Sequence, residues 1–433
     1  MSNPRAAVPH RLGRIAIPIG LALTALMLPA ATAAAEPPTP EAADQVVVRY
    51  KEGTTKARRE GVARAYGLTK LAGSRNGRTE VFVAEGRSPA TARRLLAEDP
   101  NVVAVSPNSW RDLDDDITDE PGFAALWGIH NAGQFVDGVS GAADIDIDGL
   151  EALRIERGDP SVVVAVIDDG VDFRHPDLAD RAWVNTAEAD GVSGEDDDGN
   201  GYVDDVNGWD FCANDASVGP GGSDSHGTHV AGTIAASLNG QGVVGVAPGI
   251  RVMSLRAFAG TTSCDEGDLG IIAAIDYAAS FGVPIINASW SGILRSFPLE
   301  AAISDADRTL LVAAAGNRGS NMDGEDDPEY PAASPNANIL TVAAIDQIGR
   351  LASFSNYGVT SVDIAAPGTN ILSTIPGGYG PSGGTSMAAP HVAGVAALAR
   401  SVMGGTPTPT ALRARVLATG QSLTATAGRT ATG

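Results

Sequence analysis

Residues 161–167 read SVVVAVI, an almost unbroken apolar run that leads directly into Asp168, Asp169 and Gly170. Such a run predicts a strand that is buried on both faces, as strands of parallel sheets usually are. The segment PIINAS at residues 284–289 has the same character. Helical patterns alternate with these strands at residues 228–238, 269–280, 299–307 and 386–403. The alternation predicts an α/β fold with helices on both faces of a parallel sheet, and sites in such folds lie at the carboxyl ends of the strands.

The chain of 433 residues is long enough for more than one folded unit. Residues 44–108 predict a βαββαβ arrangement, which is a small sheet with two helices. An acidic, turn-rich stretch at residues 111–121 is typical of an exposed linker. The second unit begins at about residue 123. Taken alone, the βαββαβ unit could equally be an independent binding domain.

The N-terminus has the pattern of an export signal. Three arginines precede a mostly apolar run at residues 15–30, and small residues follow at positions 31–35. This pattern predicts a secretory signal peptide with cleavage near Ala33 or Ala35. An uncleaved membrane anchor is the alternative, but the run is short for a span of about 20 residues. We therefore expect a secreted, extracellular protein that has no membrane association after cleavage.

The chain has a net charge of −22, and its charged residues are unevenly distributed along the sequence. Residues 36–111 carry 13 basic and 9 acidic residues, whereas residues 112–433 carry 14 arginines and 43 acidic residues. The opposite signs suggest that the two units attract each other. An acidic surface argues against a nucleic-acid partner and suits calcium ions or basic substrates.

Cys212 and Cys264 are the only cysteines. In an exported protein two cysteines most simply form one disulfide. Their spacing also allows two buried thiols.

Three short motifs carry the chemistry. Asp168 ends the first apolar run, His226 begins HGTHVAG at residues 226–232, and Ser386 lies in GGTSMAAPHVAG at residues 383–394. Ser386 is predicted at a helix start, near free N–H groups and the positive end of the helix dipole. Pro390 is then expected in about the first turn, where a missing N–H costs least.

Asp, His and Ser in this order along a chain can supply an orienting acid, a base and a nucleophile. A hydroxyl needs such a base within hydrogen-bond reach before it becomes an effective nucleophile. His226 and His229 also fit a metal pair, because residues three apart share a helix face. That alternative requires further ligands.

On these motifs the chain resembles the subtilisin-like serine proteases, the subtilases. The matching segments are VIDDG at 166–170, HGTHVAGT at 226–233 and GTSMAAPH at 384–391. The resemblance implies a subtilisin-like parallel sheet flanked by helices, preceded by a small ferredoxin-like α+β propeptide. It also implies the domain boundaries: residues 1–35 signal peptide, 36–111 inhibitory and chaperoning propeptide, and 112–433 peptidase domain.

The resemblance also assigns catalytic roles. Asp168 orients the base, His226 acts as general base and acid, and Ser386 attacks the scissile carbonyl. Asn317, which ends AAAGN at residues 313–317, supplies the oxyanion donor together with the Ser386 backbone N–H. A turn asparagine after glycine is the structural alternative for Asn317.

Substrate binding is implied at two places. The segment formed by Ser289, Trp290, Ser291 and Gly292 matches the one that pairs with an extended substrate chain in the family. Glu329 stands at the base of the first specificity pocket, where a carboxylate favours Lys or Arg before the cut. The alternative is a solvated glutamate in an acidic loop.

A calcium loop is predicted at residues 196–205, which read DDDGNGYVDD. The spacing of oxygen-bearing residues and the glycine at position six follow a calcium-binding loop, except that Asn207 replaces the glutamate at position twelve. An acidic surface loop is the alternative. The predicted ligands of this structural ion are Asp196, Asp198, Asn200, Tyr202, Asp204 and Asp205.

Together these features predict a secreted serine endopeptidase made as an autoprocessed zymogen. We expect a monomer whose partners are protein or peptide substrates and its own propeptide, with calcium as cofactor. The alternatives are a processing protease of narrow specificity, an inactive homologue that only binds, and a calcium-binding surface protein.

Overall fold

The computed structural model describes residues 41–433, except 75, 85–87, 110–116, 137, 223, 261, 265–266, 325–326 and 433. The predicted signal peptide and residues 111–116 of the predicted linker lie outside the described residues. The chain divides into two compact units, Met1–Arg111 and Asp112–Gly433.

The first unit follows the predicted βαββαβ order. Its four-stranded antiparallel sheet has the strand order β2-β3-β1-β4, which confirms the ferredoxin-like expectation. Val46, Val48 and Phe82 lie in its buried core. The elements are β1 (Glu41–Tyr50), α1 (Lys56–Ala65), β2 (Leu68–Gly73), β3 (Thr79–Ala84), α2 (Pro89–Ala97) and β4 (Val102–Ser109).

The second unit opens with two short 3-10 helices, Ile117–Asp119 and Phe123–Ala125. Its strands and helices then alternate along the chain. They are β5 (Phe135–Val136), β6 (Val139–Ser140), α3 (Gly149–Leu153), β7 (Val163–Asp168), α4 (Thr186–Ala189), β8 (Gly208–Asp210), α5 (His226–Ala235), β9 (Arg251–Arg256), β10 (Phe258–Ala259), β11 (Thr262–Ser263), α6 (Asp268–Ser280), β12 (Ile285–Ala288), α7 (Phe297–Asp305), β13 (Leu310–Ala314), β14 (Ile339–Ile345), β15 (Ile364–Pro367), β16 (Ile371–Ile375), β17 (Gly378–Ser382), α8 (Thr385–Met403) and α9 (Pro409–Leu417).

A parallel sheet with the order β15-β14-β13-β12-β7-β9-β8 forms the centre of this unit. Successive residues of β7 face opposite sides, because side chains alternate along a strand. Val164 and Val166 pack into a core with α5, α8 and α9, whereas Ala165 and Ile167 pack into a core with α6 and α7. Burial of β7 on both faces confirms the predicted α/β arrangement.

Two further features bear on the predictions. Cys212 and Cys264 form a disulfide, with their Cα atoms 5.3 Å apart. Among the residues that the structure describes, none of the helices combines the length and apolar character needed to cross a bilayer.

Candidate active site

The predicted catalytic residues meet at the carboxyl edge of the sheet. Asp168 is the last residue of β7, Ser289 follows β12, and Asn317 lies three residues beyond β13. His226 and Ser386 occupy the first turns of α5 and α8. These five residues line one open cleft of about 470 Å³.

Asp168 and His226 form the core of this site. His226 Nδ1 lies 2.8 Å from Asp168 Oδ1 and 3.0 Å from Oδ2, and Asp168 is buried. Burial alone would lower the pKa of His226, but the charge and hydrogen bond of Asp168, together with the nearby Asp169 carboxylate, raise this pKa to about 9. Asp168 therefore holds Nδ1–H and stabilises the imidazolium, and above this pKa the ring is neutral with Nε2 free to accept a proton.

Ser386 does not hydrogen-bond to His226 in this structure. Its Oγ donates to the backbone carbonyl of Ser289 at 2.9 Å, and Ser289 Oγ donates back to the Ser386 carbonyl at 2.8 Å. The Ser386 hydroxyl must leave this bond before His226 can accept its proton. Catalytic hydrogen bonds often form only once substrate is bound.

Pro390 lies deeper in α8 than predicted. The helix begins at Thr385, so Pro390 is in its second turn rather than about its first. A residue there would normally donate its N–H to the carbonyl of Ser386, four residues earlier. Because proline has no N–H, that carbonyl is free to accept the Ser289 hydroxyl.

Asn317 is held by a residue that the sequence reading missed. Its Oδ1 accepts hydrogen bonds from the backbone N–H of Thr385 at 2.9 Å and from the Thr385 hydroxyl at 3.0 Å. Thr385 Oγ1 also accepts the N–H of Gly316, and Thr385 is fully buried. This arrangement leaves the donor end of the Asn317 amide available beside Ser386.

The other two histidines of the motifs, His229 and His391, are buried and contact backbone carbonyls. His229 Nε2 lies 2.9 Å from the carbonyl of Ile371, and His391 Nδ1 lies 2.8 Å from that of Met387. Burial lowers the pKa of each to about 4, so both are neutral at pH 7. With His226 directed to Asp168 and His229 to a carbonyl, the pair does not form a metal site.

The predicted substrate segment borders the cleft. Ser289, Trp290 and Ser291 line it. The ring centroids of Trp290 and Phe258 lie 5.8 Å apart. Gly292 instead exchanges two backbone hydrogen bonds of 2.8 Å with Tyr330. That pairing connects the substrate segment to the loop that carries Glu329.

Glu329 is buried, at 4% exposure, and already paired. Arg318 Nε lies 3.1 Å from its Oε1, and the Ser291 hydroxyl donates to its Oε2. The solvated-glutamate alternative therefore does not describe this side chain. The partner cation also means that a basic substrate side chain would have to compete with Arg318, whose side chain is half exposed.

The acidic loop brings Asp196 and Asp198 together with Glu188 of α4, a residue absent from the predicted set. One carboxylate oxygen of each lies within 4.8 Å of the others. Gly201 turns the loop with φ +94°. Backbone N–H groups donate to each of these carboxylates, a cation among them would further reduce their mutual repulsion, and an all-oxygen set suits calcium.

Asp204 and Asp205 lie outside that group of three. The fully buried Asp205 accepts hydrogen bonds from Tyr277 at 2.6 Å, Asn185 at 2.7 Å and Asn200 at 2.8 Å, while Asp204 accepts the Gly194 N–H. Glu188 and Asp196 also accept backbone N–H groups, so these hydrogen bonds do not remove Asp204 and Asp205 from the predicted set. Asn200, Tyr202, Asp204 and Asp205 remain predicted ligands.

A second acidic pair was not visible in the sequence, since its members are far apart along the chain. Glu120 accepts the N–H groups of Asn239 and Gly240 through Oε1, while its buried Oε2 has no hydrogen-bond partner. Burial and then the charge of Asp177 raise the pKa of Glu120. Asp177 accepts hydrogen bonds from Asn239 Nδ2 and from the Val243 N–H, each at 3.2 Å, so protein donors satisfy this carboxylate.

Comparison with known proteins gives a consistent set of matches. The model of the subtilase family matches residues 159–431. The chain is 41% identical over 255 residues to a thermophilic serine proteinase of Bacillus sp. (strain AK1), covering 58% of this chain and 55% of that one. It is 38% identical over 243 residues to thermitase of Thermoactinomyces vulgaris, and this match covers 55% of this chain and 74% of thermitase. The alignment thus spans only about half the length of the Bacillus relative.

Among solved structures, a cold adapted subtilisin-like serine proteinase matches with 30% identity and a TM-score of 0.47. This match covers 67% of this chain and 90% of the solved one.

Proposed function

Because the chain belongs to the subtilase family of serine proteases, we propose that it is a secreted serine endopeptidase that hydrolyses peptide bonds with Asp168, His226 and Ser386. The convergence of these residues and Asn317 in one cleft supports the proposal best. The 2.8 Å contact between His226 and Asp168 adds to it.

The reaction begins when Ser386 gives up its hydrogen bond to Ser289. His226 Nε2 takes the hydroxyl proton as Oγ bonds to the scissile carbonyl carbon, and Asp168 stabilises the imidazolium that forms. The carbonyl oxygen becomes an oxyanion, which the Asn317 amide and the Ser386 backbone N–H stabilise. His226 then protonates the leaving amine, and water hydrolyses the acyl-enzyme by the same steps.

We propose that residues 36–111 act as a propeptide and that the enzyme is an autoprocessed zymogen. The βαββαβ fold of the first unit supports this proposal, as do the opposite net charges of residues 36–111 and 112–433. The signal peptide at residues 1–35 directs secretion. The mature enzyme acts as a monomer on protein or peptide substrates.

Calcium is the proposed structural cofactor. Glu188, Asp196 and Asp198 would hold one ion in the loop that precedes α5, with Asn200, Tyr202, Asp204 and Asp205 as further oxygen donors. Calcium bound there would neutralise clustered carboxylates and order the loops, and it would take no part in the chemical step.

The test compares wild type with Ser386→Ala, both secreted in the presence of calcium. Wild type should lose the propeptide and cleave a peptide library, whereas Ser386→Ala should stay unprocessed and inactive. A wild type that is folded, unprocessed and inert across pH and calcium concentration would favour the binding-only alternative.

A second candidate, a processing protease that cuts after basic residues, is favoured by one observation. The buried Glu329 carboxylate lies on the loop paired with the substrate segment. The residue that precedes each cut in the peptide library distinguishes this candidate from a broad-specificity enzyme.

A further inference from the structure

Asp169, the residue after the orienting acid, contacts the start of helix α5. Its Oδ1 accepts a hydrogen bond from the N–H of Gly227 at 2.7 Å, and its Oδ2 accepts one from the N–H of His226 at 3.1 Å. The side chain is only 2% exposed. The first N–H groups of a helix have no acceptor within the helix, so Asp169 satisfies two of these donors.

Four of the other described α-helices take a side-chain cap from the residue just before them, whereas α3, α4, α6 and α8 have no such cap. Ser225 occupies the N-cap position of α5, but its side chain makes no capping hydrogen bond. By contrast, the residues immediately preceding α1, α2, α7 and α9 accept a capping N–H through their own hydroxyls; these are Thr55, Ser88, Ser296 and Thr408. The helix that carries His226 is therefore capped from a strand end distant in sequence.

The same residue also contacts the orienting acid. The backbone N–H of Asp169 donates to Asp168 Oδ1 at 2.8 Å. Close packing reinforces this junction, because a Cβ at Gly227 would lie 2.5 Å from the carbonyl oxygen of Gly170. Asp169 thus binds Asp168 through its main chain and the His226 backbone through its carboxylate.

We propose that Asp169 is a positioning residue for His226, whose capping carboxylate fixes α5 so that the imidazole meets Asp168. The inference rests on the proposed function, since it concerns the same catalytic pair. A carboxylate at a helix N-terminus also interacts favourably with the helix dipole. Asp169 acts through His226 and does not itself touch the reacting atoms.

The charge of Asp169 can be tested through the pKa of His226, which a purely structural role of Asp169 would not change. The ionisable groups around it are Asp168 on β7, His226 on α5 and Asp224, which lines the same cleft from the loop before α5. Burial and then Asp168 raise the pKa of Asp169 to about 6, so it is ionised at pH 8. Its charge contributes to the raised pKa of His226. Removing that charge should therefore lower the pKa of His226.

The test uses Asp169→Asn, which preserves size but removes the charge and one of the two acceptors. Asp172→Asn is the matched control on the same loop, because the Asp172 carboxylate bonds to Arg174 rather than to α5. The pKa of the His226 imidazole is measured by NMR in the Ser386→Ala background. The His226 signal is identified by its loss in His226→Gln. This titration requires no proteolysis, so its outcome is independent of whether the chain is active.

Asp169→Asn should lower the pKa of His226 by roughly one unit, as loss of a nearby opposite charge does, while Asp172→Asn leaves it unchanged. In the active background, Asp169→Asn should reduce kcat about tenfold with little change in KM, and the acid limb of its pH profile should move to lower pH. Equal pKa values and kinetics for the two variants would overturn the proposal. If Asp169→Asn does not fold, Asp169→Ser takes the same titration, and an unchanged pKa there would also overturn it.

Discussion

Ser289 and Ser386 exchange two hydrogen bonds, each hydroxyl donating to the other residue's backbone carbonyl, at 2.8 and 2.9 Å. The exchange joins the end of β12 to the first turn of α8. It depends on Pro390, which leaves the Ser386 carbonyl without its helical donor. The proposed nucleophile is thus held by the segment predicted to bind substrate.

The first prediction concerns this exchange. Ser289→Ala leaves the Ser386 carbonyl without a donor, which should lower the free energy of unfolding by about 1–2 kcal/mol. Pro390→Ala restores an N–H at the position that would bond to that carbonyl. The cost of Ser289→Ala, measured by urea unfolding in the Ser386→Ala background, should therefore be smaller when Pro390→Ala is also present. Equal costs in the two backgrounds would contradict this account of Pro390.

The second prediction concerns specificity. Arg318→Gln removes the cation paired with Glu329, so the enzyme should gain preference for Lys or Arg before the cut, by roughly tenfold in kcat/KM relative to apolar residues. Glu329→Gln should remove any basic preference. Peptides that differ only at this position provide the measurement. If both variants keep the wild-type ratio of basic to apolar cleavage, Glu329 does not contact that substrate side chain.

The third prediction concerns acid stability. The folded-state pKa of His229 and of His391 is about 4, below the ordinary value near 6.5, so between these pH values the unfolded chain binds more protons. The free energy of unfolding should therefore fall as the pH drops from 6.5 to 4, by at most about 3 kcal/mol for each histidine. Asp169 acts in the opposite direction, because its pKa is raised.

Urea unfolding of the Ser386→Ala protein at a series of pH values measures this acid effect without autolysis. A free energy of unfolding that stays level from pH 6.5 to 4 would contradict the buried, neutral state of the two histidines.

The fourth prediction concerns calcium. Removing calcium with a chelator should lower Tm, and Glu188→Gln should weaken calcium binding by at least about tenfold, because one of three charged ligands is lost. Asp190→Asn is the control, since Asp190 is exposed and lies outside the group of three. Calorimetric titration checks both variants. Equal calcium affinity in wild type and Glu188→Gln would exclude Glu188 as a ligand.

The sequence predicted much of the candidate site, because its residues lie at the ends of strands or the starts of helices. Asp168 terminates an apolar strand, and His226 and Ser386 begin alanine-rich helices, so periodicity and motif together indicated their places. Glu188 and Arg318 were missed for a different reason. Loop conformation brings them to their partners, and no periodic sequence pattern predicts that conformation. The cap from Asp169 to α5 joins segments far apart in the chain, and only packing of β7 against α5 reveals it.

Pro390 shows the limit of local rules. A proline near a helix start was expected in the first turn, where it costs least. The structure accommodates it one turn later, because the Ser289 hydroxyl supplies the missing donor. That compensation comes from a neighbouring strand end, which local sequence does not specify.

The most direct test of the account is covalent labelling of the nucleophile. A fluorophosphonate should react so that an Oγ–P bond forms at Ser386, fluoride leaves and His226 takes the hydroxyl proton. Intact mass and peptide mapping should then show one adduct, on Ser386, in wild type and none in Ser386→Ala. Folded wild-type protein that remains unlabelled, or that carries the adduct on another residue, would contradict the assignment of Ser386 as an activated nucleophile.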